Sequence, residues 1–203
     1  MTRLIALLRN VRGTSAAEFA LTVPLVILLI FGMLDVGRFM YEYNQAEKAT
    51  QMGVRFAVTS EMVASGLETY SFVTDGSTIA GQPVSTASFS SATCDSVTAS
   101  CSCTGGAICG AIGYDPDAFA KIVERVTYMY PRVRAENVTV EYRNVGIGYA
   151  GDPAGSDVAA MVTVRLRNMN FQPLSGMLFR TVIAMPDFRS SLTLEDGSGT
   201  KGN

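Results

Sequence analysis

The sequence predicts an α+β protein. One long N-terminal helix crosses a membrane and continues into an outer domain, where one further helix packs on a small antiparallel sheet. Three observations predict this fold class. Residues from Phe19 to Leu34 form an apolar run of sixteen residues without a formal charge. Apolar side chains then recur every three or four residues as far as Phe56, which is the period of a helix. Beyond position 136, short runs alternate apolar and polar side chains, which is the period of a strand.

The apolar run is long enough to span a bilayer. With residues 15–17 added it gives about 20 residues, which matches the roughly 30 Å of the hydrocarbon core. Residues 1–13 contain three basic side chains and no acidic one, namely Arg3, Arg9 and Arg12. Because basic flanks stay in the cytoplasm, the sequence predicts a single-pass protein with its N-terminus inside and its bulk outside. The net charge of −2 favours no nucleic-acid partner.

Glu18 interrupts the span near its cytoplasmic end. A carboxylate inside a bilayer is costly, so Glu18 is a candidate functional residue that requires a partner. A cleaved secretory signal would carry small residues at an exit site after the apolar run, whereas here the helical pattern continues. A plain signal anchor explains the basic start and the span, but neither Glu18 nor Gly13. Pro24 is expected to kink the helix or to melt about one turn.

Residues 12–19, RGTSAAEF, resemble the type IV prepilin cleavage motif, in which Gly, four residues, Glu and an aromatic residue precede an apolar helix. The run from Arg12 to Tyr41 and the ending at residues 53–57, GVRFA, are similar to the TadE-like family of minor pseudopilins from tight-adherence (Tad/Flp) pilus systems. This resemblance covers about residues 11–58. It implies that the outer domain is pilin-like.

The resemblance also implies cleavage between Gly13 and Thr14 by a prepilin peptidase on the cytoplasmic side. Glu18 then becomes the fifth residue of the mature chain and is followed by Phe19. In low dielectric the new amine and the carboxylate of a neighbouring subunit each need a partner, so their pairing sets the register between packed helices. Thr14 departs from many pilins, which begin with Phe or Met.

Partners and location follow from the same resemblance. The implied partners are the prepilin peptidase, other pseudopilins and the major pilin through the N-terminal helix, the pilus assembly platform and the lipid bilayer. The implied location is the bacterial inner membrane, with a periplasmic outer domain and incorporation into an extracellular pilus. The predicted organisation is a leader at residues 1–13, a transmembrane and amphipathic helix at 14–59, and a periplasmic α+β domain at 60–203. Within the helix, Arg38 and Glu42 are four residues apart, a spacing that suits an exposed face.

Four cysteines lie in a Gly/Ser/Thr-rich stretch that is predicted to be a loop, at residues 94–109. An even number of clustered cysteines in an exported region favours disulfides. A bridge between Cys101 and Cys103 would close a very tight ring, which leaves two pairings open: Cys94–Cys101 with Cys103–Cys109, or Cys94–Cys103 with Cys101–Cys109. A four-thiolate zinc site is the alternative, but the spacing lacks the paired knuckles that structural zinc favours.

The rest of the outer domain reads as strands and one helix. A helix is predicted from Pro116 to Tyr130 with Asp115 as its N-cap. Asp115 with Asp117, and Asp152 with Asp157, are candidate calcium ligands, although capping and turn roles explain them more simply. Strands are predicted at residues 69–73, 83–89, 137–143, 158–166, 180–184 and 188–194, and a glycine-rich hairpin connection at 146–155.

The chain has no histidine, which excludes Ser-His-Asp and Cys-His catalysis and removes the commonest zinc ligand. No catalytic residue, metal or cofactor is predicted, so an enzyme is the least supported class. The predicted function is that of a minor pseudopilin needed to assemble a Tad-type pilus for adhesion and surface attachment. The alternative is a membrane-anchored periplasmic binding module or adhesin, with the disulfide loop as its recognition surface.

Overall fold

The N-terminal helix, α1 (Thr14–Ala57), is uninterrupted over 44 residues. The computed structural model describes residues 14–153, 155–176 and 180–199, so the predicted leader with Gly13 lies outside the described residues. Pro24 lies inside α1 and no turn is melted there, contrary to one of the two expectations. A proline removes a single helical hydrogen bond, and the turns on either side keep theirs.

The chain then forms a mixed domain, which confirms the predicted α+β class. Two short 3₁₀ turns lie between its strands and helices, at Ala107–Gly110 and Ala135–Asn137. In chain order the elements after α1 are β1 (Ala64–Ser65), β2 (Phe89–Asp95), β3 (Ser100–Gly105), β4 (Gly113–Tyr114), α2 (Pro116–Met129), β5 (Val138–Arg143), β6 (Met161–Leu166), β7 (Asn170–Phe171), β8 (Ile183–Ala184) and β9 (Phe188–Thr193).

The chain divides into two compact units. The first contains the described part of α1 up to Tyr41 together with Asn170–Ile183. The second contains Glu42–Met169 and the described residues from Ala184 onward. The first unit therefore carries the apolar half of α1, and the second unit carries the main sheet and α2.

The second unit is built on a five-stranded sheet with the order β3-β2-β5-β6-β9. Every neighbouring pair in it is antiparallel. Two adjacent interior strands, β5 and β6, are buried along most of their length, since Val140 and Tyr142 of β5 and Val162 and Val164 of β6 are all fully buried. Small two-stranded sheets, β1-β4 and β7-β8, lie outside this main sheet.

Gly53 explains how the outer half of α1 joins this core. A Cβ atom placed on Gly53 would lie 2.6 Å from Cγ2 of Val126 on α2 and 3.3 Å from Cγ1 of Val164 on β6. The absence of a side chain therefore lets α1, α2 and the sheet meet at one point. Ala46, Ala49 and the neighbouring Val54 are also buried on this side of α1.

We expect Gly53→Leu to lower the free energy of unfolding by about 1–3 kcal/mol, because the added side chain overpacks the contact with Val126 and Val164. The matched control is Gly37→Leu on the same helix, since a Cβ at Gly37 has no neighbour within 4 Å. Urea unfolding of the full-length protein in detergent, followed by circular dichroism, measures both variants. Equal destabilisation by the two substitutions would contradict the packing role of Gly53.

Several predicted elements are present. The strands expected at residues 137–143, 158–166 and 188–194 correspond to β5, β6 and β9. The glycine-rich stretch does connect β5 to its antiparallel neighbour β6. Asp115 caps α2, since its carboxylate accepts the backbone N–H groups of Asp117 and Ala118 at 2.9 Å each.

Two predicted strands are wrong. Residues 69–73 form turns, and the strand placed at 83–89 instead begins at Phe89 and extends to Asp95. A region this rich in serine and threonine carries little periodicity, so its strand positions depend on pairing with β5 rather than on local pattern. This region therefore adds β2 and β3 to the main sheet. Of the residues predicted as a strand at 180–184, only Ile183 and Ala184 form one, the short β8.

Candidate functional site

The apolar half of α1 is the first feature of the candidate site. Among the described residues, α1 is the one helix long and apolar enough to cross a membrane by length and composition. Six consecutive apolar residues, from Leu25 to Ile30, are all exposed. Because successive helical residues are about 100° apart, this exposure covers the whole circumference. Such a helix fits a single-pass membrane protein, since lipid is the solvent that an all-round apolar surface prefers.

Glu18 and Phe19 lie near the start of α1. Both side chains are exposed. Among the residues that the structure describes, the carboxylate of Glu18 receives no hydrogen bond and no ion pair. Thr14, the predicted first residue of the mature chain, is the first residue of α1 and stands one turn before Glu18. The roles assigned to Gly13, Thr14, Glu18 and Phe19 remain predictions.

Asp35 forms an anchor at the outer end of the apolar run, which the sequence did not reveal. Its carboxylate accepts the backbone N–H of Leu174 at 2.5 Å and the backbone N–H and hydroxyl of Ser175 at 2.9 Å and 2.7 Å. The side chain of Asp35 is almost fully buried by these contacts. Three donors from a segment about 140 residues later in the chain therefore satisfy an acidic group that directly follows the span.

Arg38 and Phe39 extend this anchor by one turn. The guanidinium of Arg38 lies 3.7 Å from the Asp35 carboxylate and donates to the carbonyl oxygen of Gln172 at 3.5 Å. It also lies 5.5 Å from the centroid of the Phe171 ring, a cation–π distance. Phe39 meets the same ring edge to face at 5.4 Å. The residues of α1 from Asp35 to Phe39 thus hold the segment that begins at Asn170.

Glu42 belongs to the second unit, and its predicted place on an exposed face is wrong. It is buried, with 9% of its surface exposed. Its carboxylate accepts hydrogen bonds from the guanidinium of Arg132 at 2.5 Å and from the hydroxyl of Tyr130 at 3.1 Å. Burial and the nearby Glu42 carboxylate raise the pKa of the Tyr130 hydroxyl above its ordinary value. This charge-assisted cluster ties α1 to the end of α2 and the turn that follows it.

The four cysteines form two disulfides, Cys94–Cys101 and Cys103–Cys109. This is one of the two pairings that the spacing left open. Cys94 and Cys101 are directly opposed in the register of β2 and β3, so the first bridge crosses a hairpin. The cysteines from 94 to 103 therefore lie on two strands of the main sheet and not on a loop. With all four sulfur atoms in disulfides, no thiolate is free to bind zinc.

The candidate calcium ligands have structural roles. Asp157 is buried and accepts three backbone N–H groups, from Phe72 at 2.8 Å, Gly151 at 2.8 Å and Asp152 at 3.3 Å. It therefore fixes two long connections of the second unit. Asp115 caps α2, as described above. Within the described ranges, no group of three or more His, Cys, Asp or Glu side chains has the geometry to hold a metal ion.

A cleft of about 250 Å³ lies in the second unit and is lined by acidic side chains, among them Glu68, Glu195 and Asp196. Burial, together with the negative charges of Asp196 and Glu61, raises the pKa of Glu68 above its ordinary value. In the cleft the Ser198 hydroxyl donates to the Asp196 carboxylate at 2.7 Å, a local contact between residues two positions apart. It gives no chemical argument for a reaction.

Comparison with known proteins gives one match, which includes the apolar half of α1. Residues 13–55 match the family model described as TadE-like protein, which confirms the resemblance over this segment. No curated protein and no solved structure matches the chain. The matched segment begins at Gly13 and ends at Arg55, so it contains Glu18, the apolar run and Gly53. The match covers about a fifth of the chain.

Proposed function

We propose that the chain is a minor pseudopilin of a Tad-type pilus, made in the bacterial inner membrane, cleaved after Gly13 by a prepilin peptidase, and needed for pilus assembly. The observation that carries the proposal is an exposed carboxylate, that of Glu18, in the half of α1 whose exposed surface is otherwise mostly apolar. In a membrane this charge is stable only with a cationic partner. The amine that cleavage would create at Thr14 of a neighbouring chain supplies one.

The position of Glu18 favours pairing between chains. Thr14 and Glu18 are one helical turn apart, a rise of about 6 Å along the axis. When two such helices pack side by side with an axial offset of about one turn, the amine of one lies level with the carboxylate of the other. Pairing then fixes the offset, because any other register leaves both charges unpaired in low dielectric.

The size of the second unit supports the role of a minor rather than a major pilus component. The second unit is a mixed domain with its own core, two disulfides and a five-stranded sheet. The remaining proposed partners are the other pseudopilins, the major pilin, the assembly platform and the lipid bilayer. The N-terminus is proposed to be cytoplasmic and the second unit periplasmic. We propose no enzymatic activity, because the sequence contains no histidine to act as a general base beside a nucleophile.

The N-terminal sequence of the protein recovered from membranes tests this proposal. We expect it to begin at Thr14 in cells that contain an active prepilin peptidase. The control is the same protein from cells that lack the peptidase, where residues 1–13 should be retained. A chain that keeps Met1 or Thr2 in peptidase-positive cells would overturn the processing step.

A further inference from the structure

Asp35 and Arg38 contact a segment near the end of the chain, and this segment continues past Ser175. It starts with β7, and we define the interface segment as residues 170–176 and 180–183. This segment and the apolar half of α1 belong to the same compact unit. Its attachment point is the helix from Asp35 to Phe39, where Asp35 binds Leu174 and Ser175.

The depth of this attachment in a bilayer follows from helix geometry. Residues 15–34 cover about 30 Å at 1.5 Å per residue, which is the thickness of the hydrocarbon core. The headgroup layers bring the bilayer to about 40–45 Å, so each layer is roughly 5–8 Å thick. The rise from Asp35 to Phe39 is about 6 Å. A chain with residues 15–34 in the core therefore has the attached part of its interface segment, from Phe171 to Ser175, level with the headgroups.

The side chains of the interface segment suit that depth. Val182 is 56% exposed and Ile183 is 46% exposed, although both are large and apolar. Leu174, which Asp35 holds through its backbone, is 36% exposed. Residues 170–183 contain one charged side chain, Arg180, and no acidic one. An exposed apolar surface with an exposed cation and no acidic side chain is compatible with an anionic headgroup layer, where each basic residue near the surface contributes about 1 kcal/mol.

We propose that the interface segment is a membrane-contact element, which lies in the headgroup layer of the leaflet where α1 leaves the bilayer. The proposal rests on the membrane-spanning role of α1. Val182 and Ile183 enter the upper acyl region, and Arg180 binds lipid phosphate. Because hydrogen bonds to Asp35 hold the segment to the helix, its insertion fixes the depth and rotation of α1 in the membrane before any partner is bound.

A lipid surface is favoured over a protein partner for two reasons. The segment is already attached beside the span, so it reaches the bilayer whenever α1 does, at no extra cost in translational freedom. Its charge is also complementary to anionic phospholipid, and Asp35, the acidic group beside it, is satisfied within the chain. A second pseudopilin helix docked on Val182 and Ile183 is the competing occupant.

Depth-resolved tryptophan quenching tests the proposal, because the natural chain contains no tryptophan. Three single-tryptophan variants of the full chain are placed in vesicles of phosphatidylethanolamine and phosphatidylglycerol. Val182→Trp reports on the interface segment, Leu25→Trp on the middle of the span, and Ile79→Trp on an exposed apolar position of the second unit. The quenchers are lipids brominated either near the headgroup or near the end of the acyl chain, and Ile183→Trp repeats the measurement if Val182→Trp fails to fold.

We expect emission from Val182→Trp to be lost with lipid brominated near the headgroup and retained with lipid brominated at the chain end. Leu25→Trp should show the reverse, and Ile79→Trp should keep its emission in both. Quenching of Leu25→Trp but not of Val182→Trp would overturn the membrane-contact element and leave the proposed function standing. Failure to quench Leu25→Trp would overturn both. Protection of Val182→Trp from aqueous acrylamide only after another pseudopilin is added, without bromolipid quenching, would assign the surface to a protein.

Discussion

Glu18→Ala is expected to leave cleavage after Gly13 intact and to prevent stable incorporation into the pilus. Cleavage depends on the residues at the cut, whereas assembly depends on the pairing of the Glu18 carboxylate with the amine of a neighbouring Thr14. Removing one member of a buried ion pair leaves the other charge uncompensated, at a cost of about 3–5 kcal/mol. This corresponds to a loss of association of roughly 100-fold to 5,000-fold per contact.

The measurement has two parts. The N-terminus of the membrane form reports cleavage, and the amount of the protein in sheared pili, with the number of pili per cell, reports assembly. Glu18→Gln keeps the size of the side chain and removes its charge, so it should fail in the same way. Glu47→Ala is the matched control, since Glu47 is an exposed acidic residue of the same helix beyond the apolar run. Normal piliation with Glu18→Ala would contradict the pairing and would favour the anchored binding module or adhesin.

Loss of both disulfides is expected to give the largest change in stability. Cys94–Cys101 spans seven positions and Cys103–Cys109 spans six, so each closes a short loop of the unfolded chain. In the chain-entropy account, loops of this length contribute about 2–3 kcal/mol each. The sum of roughly 4–6 kcal/mol is comparable with the whole stability of a small domain, about 5–15 kcal/mol.

Urea unfolding of the full-length protein in detergent, with and without reductant, measures this effect. We expect reduction to move the unfolding midpoint to lower urea, with free thiols verified by alkylation. The double variants Cys94→Ala/Cys101→Ala and Cys103→Ala/Cys109→Ala separate the two bridges. The first should cost at least as much as the second, because Cys94 is fully buried and its bridge joins two strands of the main sheet. An unchanged midpoint in fully reduced protein would contradict a stabilising role.

The features that could be predicted from the sequence are those that local pattern specifies. The apolar run predicts α1, Asp115 followed by Pro116 predicts the start of α2, and the alternation at 137–143 and 158–166 predicts β5 and β6. In each case the residues that specify the element are the residues that form it. The pairing of Cys94 with Cys101 could not be chosen from spacing, because it depends on the register of β2 and β3.

The sequence by itself therefore determined the long apolar helix, the α+β class and the candidate processing motif at Gly13 and Glu18. Only the tertiary structure shows that Asp35 and Glu42, two acidic residues seven positions apart on one helix, are both buried. Their partners are Ser175 and Arg132, which are 140 and 90 residues away in the chain. Periodicity on a helix shows which residues share a face. Whether a carboxylate on that face is solvated or buried depends on donors that only the folded chain brings to it.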